Sequence, residues 1–82
     1  MTRANVVLEY PGVKIWLYRH CDGYPSGLGQ ELKDAMDPDS SLDTVLNILT
    51  ISDIELTTGQ HGDIEYLYIV DLENNKVRIG DL

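Results

Sequence analysis

The segment Ile64–Asp71 (IEYLYIVD) constrains the fold of this chain more than any other. Its residues alternate between two faces, and a period of two over eight residues predicts a β-strand. The residues Leu72–Asn75 supply a turn, because asparagine tolerates left-handed backbone geometry. Lys76–Gly80 (KVRIG) is then predicted to return as a second strand beside the first.

A second hairpin is predicted at the other end of the chain. Asn5–Tyr10 (NVVLEY) is rich in apolar and β-branched residues, and Val13–Arg19 (VKIWLYR) alternates with a period of two. Between them, Pro11 and Gly12 form a turn pair, since proline presets φ and glycine tolerates a positive φ. The two segments are therefore predicted to pair as antiparallel strands.

Two helices are predicted in the middle of the chain. Ser26 is a candidate N-cap for a helix that ends near Met36, and Asp39 or Ser40 caps a second helix that runs to about Ile51. Each helix places apolar residues on one face at helical spacing. These residues are Leu28, Leu32, Ala35 and Met36 in the first helix and Leu42, Val45, Leu46 and Leu49 in the second.

The order of elements predicts an α+β fold of order ββααββ. We expect one antiparallel sheet packed against two short helices, with residues 1–82 forming a single domain. Asp53–Leu56 alternates weakly and is a candidate for a short edge strand. Thr57–Asp63 (TTGQHGD) is predicted to be a loop, because turn-forming residues dominate it.

The net charge of −8 is confined to the middle of the chain. Between Glu31 and Glu65 there are nine carboxylates and one base, Lys33, whereas the rest of the chain has five acids and five bases. A surface of one sign steers association with partners of the opposite sign. Direct binding to nucleic acid or to anionic lipid is therefore disfavoured, and a basic protein is the expected partner.

Several of these carboxylates recur at helical spacing and form a candidate partner-binding surface. They are Glu31, Asp34, Asp37, Asp39 and Asp43, with Asp53 and Glu55 extending the surface. Side chains three or four apart on a helix lie roughly 5–6 Å from each other, and successive phosphates of a nucleic-acid strand are separated on a similar scale. Such a row can occupy a Lys/Arg groove built for DNA. The alternative is an ordinary solvated helix face.

A repeated His-x-Asp pattern is a second candidate site. His20 and Asp22 follow the second strand, and His61 and Asp63 precede the strand that starts at Ile64. If these strands pair, the two triplets meet at one end of the sheet. The four side chains could hold a divalent metal, or Cys21 could act as a nucleophile with His61 and Asp63. In the third interpretation the aspartates bond to the loop backbone and the histidines cap the strand ends.

Four aromatic residues lie on strands predicted to be neighbours, namely Trp16, Tyr18, Tyr66 and Tyr68. They indicate packing within the sheet, or alternatively a patch that anchors a partner. The sequence has neither a GxGxxG nor a GK[ST] pattern, so no cofactor is predicted.

The sequence also predicts where the protein acts. A single cysteine, Cys21, fits a reducing compartment. The N-terminal residues have no long apolar core of the kind found in a signal peptide, and no apolar run approaches the roughly 20 residues that span a bilayer. The expected location is the cytoplasm of a bacterial host.

The segments Tyr18–Gly29 (YRHCDGYPSGLG) and His61–Leu72 (HGDIEYLYIVDL) resemble those of small proteins encoded by phages and prophages. Together with the small size, the acidity and the α+β plan, they resemble the anti-CRISPR proteins, and among these the inhibitors of type I, specifically type I-C, systems. The two segments cover 24 of the 82 residues.

The resemblance implies a non-enzymatic inhibitor and assigns no site residue. Some inhibitors of this class imitate DNA and block a surveillance complex from binding target DNA beside its PAM. The implied partner is a basic DNA-binding subunit of a type I CRISPR surveillance complex. This expectation agrees with the argument from charge, which does not depend on the resemblance. The alternatives are a small metal-binding or hydrolytic protein that uses the His-x-Asp residues, and a phage regulatory protein that binds another basic host factor.

Overall fold

The computed structural model describes residues 1–82 as five strands and two α-helices. The strands are β1 Ala4–Tyr10, β2 Val13–Arg19, β3 Glu55–Thr57, β4 Tyr66–Asp71 and β5 Lys76–Ile79. The helices are α1 Gln30–Ala35 and α2 Ser41–Leu49, and a single π-helical turn, Pro25–Gly29, leads directly into α1. The predicted α+β class is confirmed. The predicted ββααββ order gains one strand, β3, which overlaps the edge segment expected at Asp53–Leu56.

All five strands form one sheet in the order β3-β2-β1-β4-β5. The two predicted hairpins are confirmed, since β1 pairs antiparallel with β2 and β4 pairs antiparallel with β5. In the first hairpin Gly12 adopts a φ of 78°, and in the second Asn75 adopts a φ of 55°, as the turn chemistry predicts.

The prediction of a wholly antiparallel sheet is wrong, because β1 and β4 pair in parallel. β3 and β4 both run in the direction of β1, so the chain must return to the starting end of the sheet between them. The segment from Thr58 to Glu65 makes this return. It crosses one face of the sheet, which we call the loop face.

The core lies between the opposite face of the sheet and the helices. Val6, Leu17 and Val70 point from the central strands toward Leu28 and Leu32, and all five are fully buried. The alternation of the strands thus separates this core from the loop face.

The start of the first helix differs from the prediction. Ser26 does not cap it, because the chain enters through Pro25 and a π-helical turn with no side-chain cap. Of the two predicted N-caps of α2, Asp39 and Ser40, the structure has Ser40, whose Oγ accepts a hydrogen bond from the backbone N–H of Asp43 at 3.1 Å.

Candidate interaction surface

Glu31, the first predicted partner-binding residue, is engaged inside the protein. Its carboxylate forms an ion pair with Arg19, whose side chain is only 6% exposed. Burial by itself lowers the pKa of Arg19, but the hydrogen bond and charge of Glu31 outweigh it, so the pKa is raised. Because Arg19 would otherwise be a buried unpaired charge, Glu31 is needed for the fold.

Four of the predicted carboxylates belong to the stretch of chain from the end of α1 to the first turn of α2, and no two of them lie on the same helix. We call them the junction patch, and they are Asp34, Asp37, Asp39 and Asp43. No Lys, Arg or His side chain forms an ion pair with any of the four. The junction patch is therefore a concentration of negative charge that the protein does not neutralise itself.

Local hydrogen bonds fix the backbone of the junction patch. Asp37 Oδ1 accepts from the N–H of Asp39 at 2.9 Å, and the Oγ1 of buried Thr44 accepts from the N–H of Asp37 at 2.8 Å. On α1, Asp34 accepts from Gln30 Nε2 at 2.9 Å. Asp43 lies in the first turn of α2, where the helix dipole favours a negative charge.

The remaining two predicted residues lie away from the junction patch. Asp53 follows α2 and adopts a φ of 60°, and Glu55 begins the edge strand β3. The nine residues of α2 span about 13 Å, which separates these residues from the start of the helix. Glu55 Oε1 is 3.4 Å from His20 Nε2, so it also has a partner within the chain.

Lys33, the one base of the acidic segment, does not neutralise the junction patch. It lines a cleft of about 280 Å³ between the π-helical turn and β5, together with Arg78. The positive and negative groups of this part of the chain therefore point to different regions of the surface.

The His-x-Asp pattern forms an aromatic stack at the end of the sheet. β2 and β4 do not pair, but β1 between them brings the two triplets to the same end. The ring of Tyr18 stacks on His61 at 3.9 Å and meets the edge of His20 at 4.8 Å. Its hydroxyl donates to Asp63 at 3.0 Å, and burial together with this carboxylate raises the pKa of Tyr18.

Three of the four polar side chains, those of His20, His61 and Asp63, contact Tyr18, and each also has a second partner. The fourth, Asp22, is exposed and adopts a φ of 53°. His61 Nε2 is 2.8 Å from Thr57 Oγ1, and Asp63 also pairs with Arg3 at 3.3 Å. No three His, Cys, Asp or Glu side chains are grouped so that they could hold a metal ion. The stack is a structural contact between the sheet and the loop that crosses it.

The three tyrosines of the predicted aromatic group, Tyr18, Tyr66 and Tyr68, pack within the protein, and Trp16 is half-buried. Tyr18 and Tyr68 are buried, and Tyr66 stacks on Tyr68 with ring centroids 6.1 Å apart. Of the two interpretations from sequence, the geometry of these residues fits packing within the sheet.

Most of the apolar pattern predicted for α2 does not face the core. Of its four residues, only Val45 packs against the core, where it is half-buried, while Leu42, Leu46 and Leu49 are exposed. The fully buried residues of α2 are Thr44 and Ile48. The sequence identifies the apolar face of this helix, but it does not indicate which part of that face is buried in the core. The apolar residue that takes the core position is Ile48, which lies outside the predicted pattern.

None of the helices is long and apolar enough to span a membrane. Comparison with models of protein families, with curated proteins and with solved structures finds no match.

Proposed function

We propose that this protein is a non-enzymatic inhibitor that uses the junction patch to occupy a basic, DNA-binding groove of another protein. The observation that carries the proposal is the grouping of Asp34, Asp37, Asp39 and Asp43 without a neutralising cation. A groove lined by Lys and Arg supplies the charge that the patch lacks.

The arrangement suits phosphate mimicry in two respects. The carboxylates recur every two to four residues, at Asp34 on α1, at Asp37 and Asp39 between the helices, and at Asp43 on α2. The hydrogen bonds from Asp39 N to Asp37 Oδ1 and from Asp43 N to Ser40 Oγ hold the backbone of the junction in place. A fixed row of charges loses less conformational freedom on binding than a flexible acidic tail does.

The sequence resemblance suggests which groove is occupied. We propose that the partner is a basic DNA-binding subunit of a type I CRISPR surveillance complex, and that occupation of the groove prevents the complex from binding target DNA at the PAM. Glu31 and Glu55 contribute less than sequence analysis expects, because each already has a partner within the chain.

The test is a competition assay in which the protein is titrated into a purified type I-C surveillance complex bound to labelled target duplex. Wild-type protein is expected to displace the duplex, and more weakly at about 0.5 M than at about 0.1 M salt, because salt screens exposed charges. The variant D34N/D39N/D43N is expected to lose at least tenfold in apparent affinity. Asp37 is retained because its carboxylate accepts from the backbone of Asp39.

The matched control is E65Q/E73Q/D81N, which removes the same charge from exposed residues outside the junction patch. It is expected to retain most of the affinity. Equal losses in the two variants would show that only net charge matters. Wild-type protein that leaves the duplex bound at low salt would refute the proposed partner.

A further inference from the structure

One face of α2 is apolar and partly exposed. The side chains of Leu42, Leu46 and Leu49 are 67%, 50% and 40% exposed. They lie at positions i, i+4 and i+7, which fall on one side of a helix. We call these three residues the leucine stripe.

The leucine stripe points away from the sheet. At 3.6 residues per turn, its centre lies about 150° around the helix from the midpoint of Thr44 and Ile48. Those two residues are fully buried in the protein. The two sides of α2 therefore face different environments, one in the core and one in solvent.

The apolar residues of α2 form one continuous arc around the helix, from Ile48 through Val45 to the leucine stripe. Within the chain only the Ile48 edge of this arc is fully buried. Three leucines at this spacing match the anchors that a helix presents to an apolar groove. The leucine stripe thus has the spacing of the anchors in a helix-in-groove interface, and the polar residues beside it supply the rim that shields such anchors from water.

The charges around the stripe define what can cover it. Asp39 and Asp43 lie at the N-terminal end of α2, and Asp53 lies beyond its C-terminal end. A second copy of the chain would bring these same acidic groups against each other, and each copy has a net charge of −8. An anionic lipid surface would be repelled for the same reason, whereas a surface rimmed by Lys and Arg is complementary.

We propose that the leucine stripe is the apolar centre of the interface with the partner, and that the partner presents an apolar surface rimmed by Lys and Arg. This inference rests on the proposed function in one respect, since it takes the junction patch to be the acidic rim of the same interface. The carboxylates then set the rate and salt dependence of association, and the leucines hold the complex once it has formed.

The test uses a probe that does not depend on the identity of the partner. The probe is a fluorescent peptide of Leu and Lys spaced to form an amphipathic helix, and its control has the same composition in an order without an apolar face. Binding is measured by anisotropy at about 1 M salt, where the Debye length is only about 3 Å. Wild-type protein is expected to bind the amphipathic peptide at least tenfold more tightly than the control peptide.

The variant L42Q/L46Q/L49Q is expected to bind both peptides equally, since glutamine retains helix propensity and removes the apolar surface. The matched control is Y10Q/V13Q/L82Q, which removes residues of similar exposure, 45%, 54% and 67%, from elsewhere on the surface. It is expected to discriminate as wild type does. Thermal melting of each variant establishes that it is folded.

Three results would overturn this inference. They are equal binding of the two peptides by wild-type protein, discrimination that persists in the leucine variant, and a wild-type dimer in light scattering that the leucine variant dissociates. Because no surveillance complex is present, failure of the competition assay and failure of this test are separate outcomes. Peptide discrimination without DNA displacement would retain the apolar interface and refute only the proposed partner.

Discussion

Tyr68 shows how the packing of one residue changes its chemistry. Its ring is buried beside Gly29, where a Cβ atom would lie 3.2 Å from Tyr68 Cε1, and its hydroxyl donates to the carbonyl of Gly23. Burial, with a smaller contribution from Tyr66, raises the pKa of Tyr68 to about 12. The residue therefore stays neutral over a range of pH in which an exposed tyrosine ionises.

This shift predicts how stability depends on alkaline pH. The folded state retains the proton of Tyr68 above pH 10, where the unfolded state loses it, so the contribution is complete below about pH 10 and is lost as the pH rises toward 12. The midpoint of urea unfolding should fall over this interval. In Tyr68→Phe the urea midpoint should fall less steeply with pH. Some pH dependence should remain, because the pKa of Tyr18 is also raised.

The comparison variant is Tyr10→Phe, because Tyr10 lies at the surface and is 45% exposed. Its alkaline profile should match that of the wild type. An unchanged slope in Tyr68→Phe would mean that another group governs the alkaline transition.

At the scale of elements, the loop that crosses the sheet depends on one buried amide. Asn5 lies in the middle of the sheet, fully buried, and its Nδ2 donates to the carbonyl of Leu17 at 2.7 Å. Its Oδ1 accepts from the backbone N–H of His61 at 2.7 Å. Asn5 thereby joins the strand pair β1–β2 to a loop 56 residues further along the chain.

Replacing Asn5 by alanine should lower the free energy of unfolding by about 2–3 kcal/mol, because two buried backbone groups lose their partner. Asn74→Ala is the control, since the amide of Asn74 donates to Asp71 in an exposed turn and its loss should cost less than about 0.5 kcal/mol. Both values come from denaturant unfolding. Similar losses in the two variants would argue against a special role of Asn5.

The elements of this fold were predictable to the extent that they depend on local pattern. The two hairpins and the N-cap of α2 follow from alternation, turn residues and Ser40. The parallel pairing of β1 with β4 does not, because periodicity identifies a strand and says nothing of its direction. Asn5 was hidden for a related reason, since its partners are distant in sequence and its segment otherwise resembles a fully apolar strand.

The charge of the candidate site could be predicted from the sequence, but the contacts of its residues could not. The acidic residues are evident from the sequence, but the ion pair that engages Glu31 depends on Arg19 at the end of β2. The outward direction of the leucine stripe depends on which part of the apolar arc of α2 is buried in the core, and this arc is continuous from Ile48 to Leu46. Only tertiary packing determines which part of α2 is buried.

At the scale of the whole molecule, the carboxylates outnumber the Lys and Arg side chains that could pair with them. Only three of its six Lys and Arg side chains form ion pairs, those of Arg3, Lys14 and Arg19, against fourteen carboxylates. Exposed ion pairs contribute little to stability, whereas the repulsion of a net charge of −8 acts on the whole compact state. The excess negative charge is therefore expected to destabilise the free protein.

Salt should therefore stabilise this protein. Between about 0.01 M and 0.15 M NaCl the Debye length shortens from roughly 30 Å to 8 Å, so repulsion across the molecule, whose longest dimension is 34 Å, is progressively screened. We expect the melting temperature to rise by about 5 °C, the shift that roughly 1 kcal/mol produces in a domain of this size. The variant D34N/D39N/D43N should melt higher than wild type at low salt and respond less to added salt.

A melting temperature that falls with salt would mean that stabilisation by ion pairs such as Arg19–Glu31 outweighs the repulsion among the excess carboxylates. The carboxylates of the junction patch would then not destabilise the free protein. Binding of a basic partner would gain no free energy by relieving repulsion among them.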